Sequence, residues 1–349
     1  METPEKQYTY ELATDSDSNC TLKVKIANKK FVEAKEKLFK KMAQNVTITG
    51  FRPGKGPKGL IEARLGPDLY EKTLNELLPQ VTLEIIETKS LEPLTHVKYE
   101  VEKVSEDEGV EYHAHFVVYP DIKLGNFQKI KIQNEKIAVS KEEINTEKKR
   151  ILDLYNQQQE KTAKDKTKYQ KLETITNEVV ESLKIGIKTV EELEKQIIEQ
   201  VKFEKENQLE EKKIKTIITE AIQLSKVIAP KQLVIEEVEG RGKDYKYRIE
   251  QLGLKMDDFL KAQNTTEEDL RKQWEKDAIE KIASELLLFE IVKTQKIVVT
   301  IEEIDLEVAK ISDPKLHQEY DSNVGRRTIS AILSQQKAIK WLKDQVNSK

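Results

Sequence analysis

The sequence predicts an α+β protein: an N-terminal domain with an antiparallel sheet, then an extended linker, then an all-α region of long helices. Three observations support this. The first 120 residues mix alternating, strand-like segments with amphipathic helical segments. From Ser140 onward, apolar residues recur almost entirely at helical spacing. The 349 residues contain only 12 Gly and 9 Pro, which argues against an all-β sandwich with its frequent turns.

Composition excludes several classes of protein. Charged residues make up 35% of the chain, against about 25% in an average soluble protein. No apolar run approaches the roughly 18 residues of a membrane span, and residues 1–20 lack the apolar core of a secretory signal. The single cysteine, Cys20, excludes an internal disulfide framework. We therefore expect a cytoplasmic protein with neither a membrane nor DNA among its partners.

A strand and a helix open the N-terminal domain, residues 1–119. Residues 21–26 alternate aliphatic side chains with polar ones, which is the pattern of a half-buried strand. Asn28 is then predicted to cap a helix. The apolar side chains of that helix share one face: Phe31, Ala34, Leu38 and Met42.

Two further helices and a pair of strands complete this domain. Pro57 and Pro67 mark the starts of the helices, since proline is well tolerated in a first turn. Segments 97–104 and 110–119 then alternate as two strands joined by a short turn. The order strand, helices, strands predicts the antiparallel sheet.

The rest of the chain divides into a linker and a helical region. Residues 120–137 read as an extended linker, and residues 138–349 as the helical region. Capping boxes at Ser140–Glu143 and Thr189–Glu192 begin two of its helices, and Pro230 begins another. A later helix should bury one apolar face, which comprises Leu270, Trp274, Ala278, Ile282, Leu286 and Phe289.

The near-zero net charge of −3 hides a basic segment. Between residues 40 and 66 there is one acid, Glu62, among six bases. The bases are Lys40, Lys41, Arg52, Lys55, Lys58 and Arg64. Such a surface can bind phosphate or an acidic protein without making the whole molecule a nucleic-acid binder.

The loop Gly-Phe-Arg-Pro-Gly-Lys-Gly-Pro at residues 50–57 is the sharpest local feature. It fails as a phosphate-binding P-loop, because Lys55 is followed by Gly56 rather than Ser or Thr. An exposed Phe51 beside Arg52 would offer an apolar anchor and a charge-assisted donor, a pairing common at interface hot spots. From pattern alone, the favoured alternative is a turn between helices with Phe51 in the core.

At this loop the sequence resembles the trigger factor family of bacterial nascent-chain chaperones. Residues 48–57, followed by residues 61–66, are similar to the family's ribosome-binding signature, and residues 116–124 are similar to the segment after it. The family usually has Lys at the position of Pro53 and Val at that of Gly56. The resemblance implies ribosome contacts by Gly50, Phe51, Arg52 and Lys55, with auxiliary phosphate contacts by Lys58 and Arg64.

The resemblance implies an ATP-independent chaperone for protein folding and transport. It would dock at the ribosomal polypeptide exit, on a ribosomal protein and nearby rRNA, and shield unfolded nascent chains without a cofactor. The family usually carries an FKBP-like prolyl isomerase domain, whose place here is near residues 157–171. That stretch is far too short for a domain and lacks the aromatics of a prolyl pocket, so we expect no enzyme and no catalytic residue.

Two alternatives stay open. One is a prolyl isomerase with an unrecognised site, and the other is a helical scaffold that never meets ribosomes. The residues that contact clients are unknown from the sequence, and a homodimer away from the ribosome is left open.

Other candidate sites are weaker. His113 and His115 lie two apart on a predicted strand and therefore share a face. Their neighbours in the sequence supply no evident third ligand, so a solvated strand face is favoured and we predict no metal site. Cys20 lacks a flanking base and is predicted to be a passive thiol.

Overall fold

A computed structural model describes most of the chain and divides it into two units. The described residues are 7–132, 135, 137–162 and 171–347. The first unit comprises Met1–Lys123 with Lys226–Leu287, and the second comprises Leu124–Ser225 with Leu288–Lys349. Within the described part of the chain, no helix is both long and apolar enough to cross a membrane.

A four-stranded antiparallel sheet forms the centre of the N-terminal part of the first unit. The strands are β1 (Tyr8–Thr14), β2 (Asn19–Ile26), β3 (Lys98–Ser105) and β4 (Gly109–Val117), in the order β1-β2-β4-β3. Alternate side chains of β2 and β4 enter the core, so the predicted α+β class with an antiparallel sheet is confirmed. Strand β1 is not predicted from the sequence, because this edge strand is only partly buried and carries polar residues.

Three helices accompany this sheet: α1 (Asn28–Ala43), α2 (Lys58–Leu65) and α3 (Pro67–Thr88). Helices α1 and α3 pack their apolar faces into the same core cluster as the sheet, as their spacing predicts. The capping role predicted for Asn28 is wrong. Asn28 is the first residue of α1, and its side chain accepts a hydrogen bond only from the adjacent N–H of Lys29, at 2.8 Å.

The first unit also contains helices from the later sequence: α7 (Lys231–Gln251), α8 (Met256–Ala262) and most of α9 (Glu267–Thr294). The Lys231 ammonium lies 2.9 Å from the Asp17 carboxylate, and the Tyr119 hydroxyl donates to the Leu286 carbonyl at 2.7 Å. Polar contacts therefore join these helices to the sheet domain. The division of the chain at residues 119 and 137 stays a prediction.

Within the described residues, the second unit contains the linker from Leu124 onward and six complete helices. The described part of the linker includes a 3₁₀ turn at Phe127–Lys129. The helices are α4 (Lys141–Thr162), α5 (Asn177–Ser182), α6 (Val190–Ser225), α10 (Ile301–Ala309), α11 (Pro314–Tyr320) and α12 (Asn323–Asn347). Of the polar stretch predicted at 157–171, the first part continues α4, and residues 163–170 lie outside the described residues.

Both predicted capping boxes are confirmed. The Glu143 N–H donates to Ser140 Oγ at 3.2 Å, and the Ser140 N–H donates to the Glu143 carboxylate at 2.8 Å. The Thr189–Glu192 pair at the start of α6 makes the same two bonds, at 3.2 and 3.3 Å. Each box satisfies donors that a helix start otherwise leaves unpaired.

The apolar end of α9 is buried on most of its circumference. Leu286, Leu287, Leu288 and Ile291 are all buried. Phe289, predicted on the same buried face, is instead 49% exposed. Each residue turns a helix by about 100°, so Phe289 falls on the strip of α9 that its neighbours leave exposed.

Candidate docking site

The loop between α1 and α2 is built from two consecutive tight turns. The Phe51 N–H donates to the Ile48 carbonyl at 3.0 Å, and the Lys55 N–H donates to the Arg52 carbonyl at 2.9 Å. Gly50 and Gly54 occupy the third positions of these turns, with φ of +85° and +74°. Positive φ at that position is the mark of a type II turn and favours glycine. Phe51 therefore ends one turn and Arg52 begins the next.

A third backbone hydrogen bond closes the base of the loop. The Gly54 N–H donates to the Val46 carbonyl at 3.0 Å. A Cβ at Gly54 would lie 3.0 Å from Gln44 Cα and 3.1 Å from the Gln44 carbonyl oxygen. Glycine is therefore needed for close approach as well as for backbone angle, and the loop is seated against the C-terminal end of α1.

The two departures from the family signature both fit this backbone. Pro53 occupies the second position of its turn, where the fixed φ of proline is favourable. At Gly56, a Cβ would lie 3.2 Å from the Ile48 side chain, so Ile48 already fills part of that space. Pro53 thus removes a charge from the tip and restricts its backbone.

The two turns leave the tip side chains in solvent. Phe51 is 45% exposed, which places it outside the core of the domain, and Arg52 and Lys55 are also exposed. Neither Arg52 nor Lys55 forms an ion pair with an acidic side chain among the described residues. An aromatic ring and two uncompensated cations therefore occupy the tip.

The surrounding bases are exposed as well: Lys40, Lys41, Lys58 and Arg64. Lys58 forms an exposed ion pair with Glu36 at 3.3 Å. The single acid of the segment, Glu62, is paired with a base outside the segment, because its carboxylate lies 2.7 Å from the ammonium of Lys35. The surface around the loop consequently keeps its positive character.

Lys35 is the centre of a polar cluster that joins all three helices to the sheet. Its side chain, on α1, is only 9% exposed. Its ammonium contacts Glu62 on α2, the Tyr70 hydroxyl on α3 and Glu106 in the turn between β3 and β4. Tyr70 also donates a hydrogen bond to Glu106. Helix α2, which directly follows the loop, is thereby tied to the sheet.

The charges of this cluster stabilise one another. Burial disfavours the charged form of Lys35, but the hydrogen bonds that it donates to Glu106 and Glu62 outweigh this and raise the pKa of Lys35. The hydrogen bonds from Lys35 and Tyr70 hold the pKa of Glu106 below its usual value. This cluster is not predicted from the sequence. The available signal was that Lys35 lies four residues after Phe31, on the apolar face of α1.

Comparison with known proteins identifies the family. A sequence model described as bacterial trigger factor protein matches residues 8–151, and a second one, for the C-terminus of the same protein, matches residues 189–344. The chain belongs to the trigger factor family. It is therefore a ribosome-associated chaperone, as the resemblance at the loop implies.

Individual trigger factors match along most of their length. That of Natranaerobius thermophilus is 22% identical over 406 residues, covering 93% of this chain and 90% of the relative. That of Bacillus subtilis is 22% identical over 374 residues, covering 84% and 88%. A solved structure described as showing promiscuous substrate recognition by the trigger factor chaperone has a TM-score of 0.57 at 14% identity. It covers 97% of this chain and 100% of that one, and shows that the fold is shared.

This trigger factor is a short form. The alignment with the Natranaerobius protein spans 406 positions, more than the 349 residues of this chain, so the relative has residues within the matched range that this chain lacks. Only residues 152–188 separate the two family matches, too few for an independently folded domain. This fits the expected lack of the family's isomerase domain.

The two histidines lie on the face of the sheet opposite to its core. His113 and His115 share β4, and Glu100 of β3 approaches both. The sequence order hides this third group, since Glu100 becomes a neighbour only when β3 pairs with β4. Cys20 is buried, and burial raises the pKa of its thiol, as suits the passive role predicted for it.

The lowered pKa of Glu106 predicts a pH-dependent contribution to stability. A carboxylate with a folded pKa below its unfolded value stabilises the fold above the unfolded pKa, and this stabilisation is lost as the pH falls through the folded pKa. Glu106→Gln should therefore lower the free energy of unfolding by roughly 0.5–1 kcal/mol at pH 7, an amount suited to a half-exposed partner.

The measurement is urea unfolding of both proteins at pH 7 and at pH 3. The difference between wild type and Glu106→Gln should shrink at the lower pH. Asp107→Asn, on the neighbouring residue of the same turn, is the control and should behave as wild type. A difference that is equal at both pH values would show that the Lys35 cluster does not stabilise the Glu106 carboxylate.

Proposed function

We propose that the loop between α1 and α2 is the surface by which this chaperone docks at the ribosomal polypeptide exit. Phe51 and Arg52 would make the central contacts, with Gly50 shaping the turn and Lys55 adding a charge. The observation that carries the proposal is the exposed Phe51–Arg52 pair at the junction of two closed turns. The partners would be an exit-site ribosomal protein and nearby rRNA.

The physical basis is that of an interface hot spot. The exposed part of Phe51 gains free energy by entering an apolar pocket, and Arg52 can donate two parallel hydrogen bonds to a carboxylate or phosphate. The hydrogen bonds of the loop already fix the backbone that carries both side chains, so little backbone entropy is lost on binding. Lys58 and Arg64 would add longer-range attraction to phosphate.

Docking would place the helical region close to emerging chains. Reversible binding of their apolar segments lowers the concentration of chain that can aggregate, and it requires neither ATP nor covalent chemistry. Exposed apolar side chains lie among charged ones on α7 and in the segment that follows it: Ile235, Tyr247, Leu252 and Leu254. They support a mixed aliphatic and polar client surface. Because its proposed partner is the ribosome, the protein would act in the cytoplasm, and any homodimer would form away from the ribosome.

We further propose that this form acts as a chaperone alone, without prolyl isomerase activity. The support is the short interval between the two family matches, which holds α5 and the end of α4. The described residues of this interval supply no aromatic-lined prolyl pocket. The other alternative, a scaffold that never meets ribosomes, is set aside because the chain belongs to a family of ribosome-associated chaperones.

Replacing both tip residues should abolish ribosome binding. Phe51→Ala combined with Arg52→Ala removes the anchor and the donor, so we expect affinity to fall at least 30-fold, as for a strong hot spot. Co-sedimentation with vacant ribosomes measures the loss. Because both side chains are exposed, the circular dichroism spectrum and Tm should stay those of wild type.

The matched control combines Phe203→Ala with Arg248→Ala. It removes the same residue types from exposed positions on α6 and α7 and should leave co-sedimentation unchanged. Wild-type affinity in the tip variant would show that the tip is not the docking surface. An absence of ribosome binding by the wild-type chain would contradict the proposed docking altogether.

Ribosome binding should weaken as ionic strength rises. Each cation that neutralises a phosphate releases counterions, so the logarithm of the affinity should fall linearly with the logarithm of the salt concentration. Lys55→Gln with Lys58→Gln should make that slope shallower. Lys243→Gln with Lys246→Gln, exposed on α7, should not. Salt-insensitive binding by wild type would remove the role proposed for the basic residues.

The absence of isomerase activity is tested with a protease-coupled peptide assay and with proline-limited refolding of a model protein. Uncatalysed isomerisation takes tens of seconds at 25 °C, so any acceleration is readily measured. We expect rates equal to those without the chain. Catalysis comparable to that of a dedicated isomerase would establish the alternative function.

A further inference from the structure

The outer face of the sheet carries a ladder of polar side chains across three strands. In the paired register, Thr21 of β2 lies opposite His115 of β4, which lies opposite Lys98 of β3. Two residues away along each strand, Lys23 lies opposite His113, which lies opposite Glu100. The side chains from β2 and β4 point away from the core, because their neighbours in each of these two strands are the buried ones.

Three of these groups converge on one point. The nitrogen and oxygen atoms that His113, His115 and Glu100 can offer to a cation all lie within 4.8 Å of one another. His115 Nε2 lies 3.7 Å from a carboxylate oxygen of Glu100. Donor atoms around a tetrahedral zinc ion lie about 3.3 Å apart, so only a small closure would be needed.

A second contact orients one of the rings. The Thr21 hydroxyl lies 3.2 Å from Nδ1 of His115. When Nδ1 carries the proton it donates to this hydroxyl, and Nε2 then presents its lone pair toward Glu100. Histidines that bind metals are usually held in this way by a hydrogen bond on their other nitrogen.

The two lysines closest to the cluster pair with other carboxylates, so His113, His115 and Glu100 stay available to bind a cation. The Lys98 ammonium lies 3.7 Å from Glu236, and the Lys23 ammonium lies 3.9 Å from Glu102, so each cation has an acidic partner. Glu102 also approaches His113, at 3.6 Å, and can supply a fourth oxygen. The cluster therefore combines two imidazoles with one or two carboxylates.

We propose that His113, His115 and Glu100 form a binding site for a divalent transition-metal ion such as Zn²⁺. Imidazole nitrogens select zinc-like ions over Mg²⁺ and Ca²⁺, which prefer oxygen ligands throughout. The ligands come from β3 and β4, with Thr21 of β2 supporting one of them. A bound ion would thus hold the edge strand β3 to the sheet and stabilise the docking domain. The proposal is independent of ribosome binding.

The test is calorimetric titration of the full chain, without a histidine tag, with zinc chloride. Wild type should bind one equivalent, and zinc should raise its Tm. His113→Gln with His115→Gln, and separately Glu100→Gln, should lose this binding. Thr21→Val should weaken it about tenfold or more through loss of the orienting contact, and Thr21→Ser should restore it. His96→Gln, an exposed histidine just before β3, is the control and should bind as wild type.

Each result bears on the site. All of the replaced side chains lie on the polar face of the sheet, so the variants should fold, and their circular dichroism spectra will show it. No saturable zinc binding by wild type would overturn the proposal. Undiminished binding by the double histidine variant would do the same, because the zinc would then lie elsewhere. Equal binding of Mg²⁺ would contradict the selection by imidazole.

Discussion

The hydrogen bond from the Gly54 N–H to the Val46 carbonyl closes the docking loop, and the exposure of the tip depends on it. It joins the two ends of a loop whose interior consists of two tight turns. With Gly54 seated against Gln44, the chain between these points has little freedom. The backbone positions of Phe51 and Arg52 are consequently fixed next to each other, with both side chains exposed. The tip is thus prepared for binding before a partner arrives.

The Lys35 cluster extends this constraint to the rest of the domain. A buried ammonium is costly unless it is paired, and here it is shared between Glu62, Glu106 and Tyr70. Because these partners lie on α2, the β3–β4 turn and α3, satisfying one charge fixes three elements. The same contact pairs the charge of Glu62 with Lys35, so that Glu62 does not neutralise the exposed bases around the loop. One interaction thereby serves both stability and the electrostatics of the candidate site.

The sequence predicted the features that depend on local pattern. Short-range sequence pattern predicted strand β4, helix α3 and the capping boxes of α4 and α6, and the structure confirms all of them. The missed features depend on contacts between distant segments. Strand β1 acquires its identity only by pairing with β2, and Glu100 meets His115 only across β3 and β4. Within the candidate site, the resemblance to the family predicted which residues form the tip. It did not predict the two tight turns or the exposure of the tip, because these depend on how the backbone folds.

Site-specific crosslinking tests the central claim most directly. A photoreactive phenylalanine analogue would replace Phe51 at the tip or, as a control, Leu83 on the exposed side of α3. With ribosomes present, position 51 should crosslink to a ribosomal protein or rRNA at the polypeptide exit, and excess wild-type chain should suppress the product. Position 83 should not crosslink. Co-sedimentation of the labelled chain without a crosslink from position 51, or with equal crosslinking from both positions, would contradict docking through the tip.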